Sequence, residues 1–296
     1  MGIRDLGFRR YEGARTSTTA RVRYLAWAEV RRTFAAKRFV LFYLFCLMPL
    51  YVSFVIMYML MVLGDGEHMS MGGGGMRRRG MASLALDEPG FYFWPMVGAG
   101  FALVWLFSAV VSAGMVSRDR GANALELYFT RGLRPVHYFA GKWLAAFALM
   151  CGQLVLPYLA LWIFAVFLAP DWDFLARTLP WIPAYLLATV FVALSVSWLA
   201  TCLSCSTSSV RFAVLRWVGG LFGLFLLGRV LTRTMGQDEW LLVSPWDVIV
   251  RIGHWLADVR TIHDFTLEYA ILAWVGLVVG AGLFAWRRLE PVEVVA

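Results

Sequence analysis

The residues able to do chemistry in this 296-residue chain fall almost entirely outside its apolar runs. The densest group lies between residues 117 and 142, SRDRGANALELYFTRGLRPVHYFAGK, where Asp119, Arg120, Glu126, Arg131 and Lys142 stand between two long apolar stretches. Mixed charges on a short polar segment suit ion pairing with another protein surface. Cys202 and Cys205 form a CxxC, a spacing used in redox and metal sites, but no His stands near it and small buried thiols are the expected reading. His68, Met69, Met71, Met76 and Met81 would be soft ligands for Cu(I). They sit irregularly in a loop, 64–90, that contains GGGG and RRR, so a flexible segment tolerant of Met is expected there instead. No catalytic residues and no metal site are expected. Cys46, Cys151 and Cys202 fall within apolar runs and Cys205 at the end of one, which argues against a disulfide framework.

What is missing narrows the function. Six apolar runs, Phe39–Leu63, Phe91–Val116, Trp143–Leu168, Trp181–Ser204, Phe212–Leu231 and Tyr269–Trp286, contain no Asp, Glu or His. Proton-coupled transporters use buried carboxylates or histidines as relays, intramembrane serine hydrolases need a His base at depth, and voltage sensors need a periodic run of arginines. None of these is present. Arg216 and Arg229 are the exceptions, bracketing an arginine-free stretch of the fifth run; they suit snorkelling to opposite interfaces or, alternatively, a path for an anionic substrate group. No GxxxxGK[ST] phosphate loop occurs, because Gly141-Lys142 lacks the upstream Gly and is followed by Trp143. Any ATP hydrolysis therefore belongs to another chain.

The elements that position these residues are membrane helices. The chain is 60% hydrophobic and only 16% charged, with a mean hydropathy of +0.68. Each run can cross about 30 Å of hydrocarbon as a helix. The predicted fold is an all-α membrane protein of six spans. With both termini inside, 19 of the 27 Lys and Arg residues lie on the inner side and 8 on the outer, the asymmetry that the positive-inside rule requires. This N-in, C-in topology puts 117–142 in the cytoplasm. It also makes the net charge of +8 an orientation signal and a contact with membrane lipids, with no nucleic-acid partner. The first span serves as its own signal, since 38 mostly polar residues precede it. Three regions result: a cytoplasmic N-terminal segment 1–38, the six-helix domain 39–286 and a cytoplasmic tail 287–296.

Two amphipathic helices are expected beside the spans. In residues 20–38, Ala26, Trp27, Val30 and Phe34 share a face, with Arg31 among the basic residues around them, which describes an interfacial helix. From Pro245 onward, Ile249, Ile252, Leu256 and Val259 recur at helical spacing, with Asp247, Arg251, His254 and Asp258 elsewhere on the wheel. A helix lying on the outer leaflet or dipping into it is expected between spans five and six. Gly219 with Gly223 and Gly276 with Gly280 form GxxxG pairs, marking faces for packing within the chain or between two subunits.

After the second span the order Asp119-Arg120-Gly121, ANALELYF, Thr130-Arg131-Gly132-Leu133, then Tyr138 and Gly141-Lys142 resembles the permease subunits of ABC-2 type transporters. Tyr11-Glu12-Gly13, the basic residues Arg31, Arg32, Lys37 and Arg38, Ser244-Pro245, and Arg287-Arg288 followed by Pro291 to Val295 are similar in order, so the resemblance spans nearly the whole chain. One departure is Gly132, where the family has Pro. The resemblance implies a permease, an exporter or flippase resident in the cell (inner) membrane and paired with a second permease copy. It further implies a separate ABC ATPase subunit that binds ATP and Mg, while this chain binds no cofactor. Residues 117–142 would form a cytoplasmic coupling helix, with Asp119, Arg120, Glu126, Leu127, Arg131 and Lys142 facing the ATPase. A non-transporting anchor or sensor that docks an ATPase is the alternative, and an intramembrane enzyme ranks last. An aromatic, weakly charged pathway suits a lipid-linked or amphipathic substrate.

Overall fold

A computed structural model describes residues 17–59, 91–92, 100–130, 133–169, 172–261, 263 and 265–289, apart from the side chain of Thr130. The described residues are helical, with no strand. In chain order the helices are α1 Thr18–Ala35, α2 Lys37–Cys46, α3 Met48–Tyr58, α4 Phe101–Val111, α5 Met115–Gly121, α6 Ala124–Thr130, α7 Pro135–Leu168, α8 Asp173–Thr178, α9 Trp181–Ser204, α10 Val210–Met235, α11 Pro245–Leu256 and α12 Leu267–Leu289. A 3-10 turn, Asp238–Val243, joins α10 to α11. Five stretches are long and apolar enough to cross a membrane, and the α2–α3 pair makes a sixth if the bent pair is one span. The protein is a multi-pass, all-α membrane protein.

The first span is not straight. Pro49, in the first turn of α3, has no N–H to give to a carbonyl four residues back, and its ring crowds that carbonyl. The helix bends by 43° between α2 and α3. The Cys46 carbonyl at the break accepts a hydrogen bond from the Gln153 side-chain amide of α7 at 2.8 Å, so the bend leaves it satisfied in the core. A second break, at Ser112 to Gly114 between α4 and α5, exposes backbone donors in the interior. Ser204 Oγ, at the end of α9, accepts from the amides of Val116 and Ser117 at 3.0 and 3.1 Å.

α9 is the hub of the bundle, with 61% of its apolar window buried against 11% for α10 and for α12. Its interior face is made of small residues, among them Ala188, Val192, Ala193, Ala200 and Ser204, which let neighbouring backbones come close. The hydroxyls of Thr189, Ser195 and Thr201 donate back to carbonyls four residues earlier, which makes polar side chains acceptable there. Indole N–H groups then fasten the outer helices: Trp217 of α10 donates to Ser108 of α4, Trp274 of α12 to Ser195 of α9, and Trp198 of α9 to the carbonyl of Val278 in α12. At 34 residues, α7 is about 51 Å long. It exceeds the hydrocarbon by several turns, and α1 packs along the turns near its N-terminal end.

Candidate functional site

α1 ends in a sequence rich in arginine, yet its one acidic residue, Glu29, lies on the face turned to α7. Val22, Leu25, Ala26, Glu29 and Thr33 recur at intervals of three and four and form that face, with Leu25, Ala26 and Glu29 buried. Of the residues expected on the interfacial face, Ala26 lies on this buried side and the others turn away from it. Trp27 is 65% and Phe34 43% exposed, Arg31 is exposed and Val30 half-buried. Tyr24, Trp27, Arg31 and Phe34 thus form a second, outward stripe, because α1 is apolar on both sides of a buried carboxylate. Ala26, Trp27 and Val30 line a groove against Leu144 and Ala148 of α7.

The carboxylate has a partner in α7. Lys142, one of two lysines in the chain, has a fully buried side chain and donates to Glu29. Its ammonium also lies 2.7 Å from Asp119 Oδ2 of α5. Tyr138, one turn earlier on α7 and buried, donates its hydroxyl to the same Asp119 oxygen at 2.8 Å. Between them, Gly141 presents no side chain where α1 crosses: a Cβ there would come within 2.8 Å of Leu25 Cδ2. Tyr138, Gly141 and Lys142 therefore clasp α1 and α5 onto α7 with two carboxylates, one ammonium and one phenol. Three helices distant in sequence are locked at one point. A low-dielectric setting strengthens such pairs, and it also makes the loss of one member costly.

From this clasp the chain turns through Asn123, which holds a left-handed φ of 52°, an angle Asn tolerates better than most residues. α6 follows. Its Tyr128 and Phe129 rings lie 5.2 and 6.1 Å from the Tyr138 ring, while Glu126 and Leu127 are exposed. Arg120 donates to the Cys205 carbonyl at the C-terminus of α9, where a cation meets the negative end of the helix dipole. The six residues expected to face a partner thus divide. Asp119 and Lys142 are buried and committed to this chain, so their side chains offer no surface to another protein. Arg120 is half-buried on α9, Glu126 and Leu127 point outward, and Arg131 lies outside the described residues, as do Gly132, Tyr11 to Gly13, the segment 64–90 and Pro291 to Val295.

A second buried polar group sits at the far end of α10. Arg229 donates to Asp247 Oδ1 of α11 at 2.8 Å, with its guanidinium 4.8 Å from the centre of the Phe225 ring. His263 Nε2 is 3.5 Å from the same oxygen. Ser244 caps α11 by accepting from the Asp247 amide. Burial lifts the Asp247 carboxyl above its ordinary value, although Ser244 and Arg229 pull the other way. Burial pushes His263 down to about 4, helped by the positive charge of Arg229 and then by His254 and Arg251. These pairings give α11 a packed place in the bundle. Residues Pro245–Ile249, Val250 and Ile252–His254 of α11 are buried, packed by α9, α10 and α12. The polar side of its wheel faces partners rather than water. Arg229 is accordingly paired, and Arg216 is exposed and donates to Ser206.

The four GxxxG glycines are also elsewhere than inside the bundle. Gly219, Gly223, Gly276 and Gly280 are exposed, with nothing within 4 Å of where a Cβ would stand. Close approach is made instead at Gly121, Gly141 and Gly228. Cys202 and Cys205 are buried free thiols, and among the described residues no cluster of His, Cys, Asp and Glu is arranged to hold a metal. The chain matches no protein-family model, and a search of curated proteins finds no match to it.

Proposed function

We propose that this chain is the membrane permease subunit of an ATP-driven exporter or flippase of the ABC-2 type, with ATP and Mg bound by a separate ATPase subunit. One observation carries the reading. Tyr138, Gly141 and Lys142, which the sequence has in common with such permeases, are the residues that fasten α1 and α5 onto α7. In this reading both termini and α6 are cytoplasmic, α1 lies at the inner interface of the cell membrane with Tyr24, Trp27 and Phe34 toward lipid, and α11 is tucked into the outer half.

Force enters at α6. Closure of two ATPase subunits on ATP pushes the exposed Glu126 and Leu127, and α6 transmits the push through Tyr128, Phe129 and Tyr138 into α7. Because Lys142 holds Glu29 and Asp119 together, α1 and α5 move with α7 as one piece. A second copy of the chain completes the pathway, and the exposed glycine stripes of α10 and α12 are the faces available for it. The test is co-purification from native membranes. A wild-type chain brings down an ABC ATPase, and the pair Glu126→Lys with Leu127→Asp loses it; a chain that purifies without any ATPase, or a variant that retains it fully, contradicts the proposal.

A further inference from the structure

On the flank of α1 opposite the α7 groove is a cavity of about 260 Å³ between α1, α2, α4 and α5. Arg32 and Arg118 line it from two different helices, and Phe39, Val110 and Met115 are among its apolar walls. Glu29 lines it as well, and so does Thr33, whose hydroxyl donates to the Glu29 carbonyl and keeps its oxygen free to accept. The charges around it do not cancel. Glu29 and Asp119 bring two negative charges, and Lys142, Arg32 and Arg118 bring three positive ones, which leaves a single positive charge. Arg32 is 3.8 Å from Glu29, which Lys142 already holds more closely, and Arg118 has no ion pair among the described residues.

Two guanidiniums lining one cavity suit the chemistry of a phosphate, whose oxygens accept forked hydrogen bonds. The walls match something else. Val110 is 43% exposed, and Leu106, one turn earlier on α4, is 39% exposed, so the cavity opens onto an apolar strip that continues along the membrane-facing side of the helix. A volume just under the ~300–1,000 Å³ of drug-sized pockets admits a headgroup, not a whole lipid. From this juxtaposition we infer that the cavity is a binding site for an anionic phospholipid. Its phosphodiester sits between Arg32 and Arg118, its glycerol reaches Thr33, and an acyl chain lies along Val110 and Leu106. One phosphodiester charge neutralises the site. The site requires only that the chain be a membrane protein and stands apart from its transport role.

Occupancy would fill the space beside the clasp and fix α1 against α5. The experiment uses the full chain purified in detergent, stripped of lipid, and titrated with phosphatidylglycerol or phosphatidylcholine while bound lipid is counted by native mass spectrometry and thermal unfolding is followed. Phosphatidylglycerol is expected to bind at least 10-fold more tightly than phosphatidylcholine and to raise the unfolding temperature. Arg32→Gln with Arg118→Gln removes that preference. Val110→Trp, which fills the mouth without changing charge, removes binding of phosphatidylglycerol while the chain stays folded. Equal binding of both lipids, unchanged binding by both variants, or equal protection by inorganic phosphate alone overturns the assignment.

Discussion

Replacing Lys142 by Met removes the ammonium from the clasp and keeps most of the side-chain volume. Lys142 makes charge-assisted contacts to Glu29 and Asp119, and hydrogen bonds to charged groups contribute about 1.5–3 kcal/mol each. The two carboxylates, each with a side chain 7% exposed, are then left together with only the exposed Arg32, 3.8 Å from Glu29, as a counter-ion. Breaking a buried pair by deleting one partner costs about 3–5 kcal/mol, and the sum of the two contacts lies in the same range. For a chain of this size that is a fall in unfolding temperature on the order of 10 °C. Thermal unfolding in detergent, followed by circular dichroism, measures it. The combined variant Glu29→Gln, Asp119→Asn, Lys142→Met has no uncompensated charge and recovers most of the loss. A single variant within about 1 kcal/mol of wild type, or a combined variant as unstable as the single one, refutes the reasoning.

Three further outcomes follow from the same geometry. Gly141→Val drives side-chain atoms into Leu25 and destabilises by about 1–3 kcal/mol, whereas Gly219→Ala and Gly276→Ala meet open space and leave monomer stability the same or up to about 1 kcal/mol higher; chemical denaturation compares them. If the exposed glycine stripes hold a second copy, Gly219→Leu with Gly276→Leu shifts the chain from dimer to monomer in single-molecule photobleaching, with unchanged monomer stability. His263 is held at about 4 in the folded chain against 6.5 when unfolded, so the unfolded state binds its proton more readily. Stability is then full above pH 6.5 and falls by up to about 3 kcal/mol as pH drops toward 4. Asp247, raised by burial, acts with the opposite sign, losing stability as pH rises past its ordinary value. Unfolding measured across pH 4 to 7 shows the His263 arm, and His263→Gln flattens it.

The apolar runs were legible because a bilayer demands length and hydropathy, and both are written directly into the sequence. The bend at Pro49 was equally open to inspection, since that proline stands in the middle of the first run. The clasp was harder to see. Asp119 and Lys142 look like solvated charges at the ends of spans, and only the crossing of α1 over Gly141 turns them inward. The available signal was Glu29, a lone acid in a basic helix whose spacing to Leu25 and Ala26 is that of a buried face. α11 poses the same question in reverse: Asp247 and His254 mark a polar stripe, and the sequence does not say whether water or Arg229 will meet it. The glycine pairs carried no information about where they face, since four-residue spacing fixes a stripe on a helix and not its neighbour.

In the proposed function α6 receives movement from an ATPase, and the clasp carries it through α1, α5 and α7 as one body. Spin labels at Ala122 and Trp27, and separately at Ala122 and Met235, all exposed, report this by pulsed electron resonance in nanodiscs that also contain the co-purified ATPase. On addition of ATP the distance from Ala122 to Met235 is expected to change while that from Ala122 to Trp27 stays fixed. Two unchanged distances, or an equal shift in both, would contradict the account.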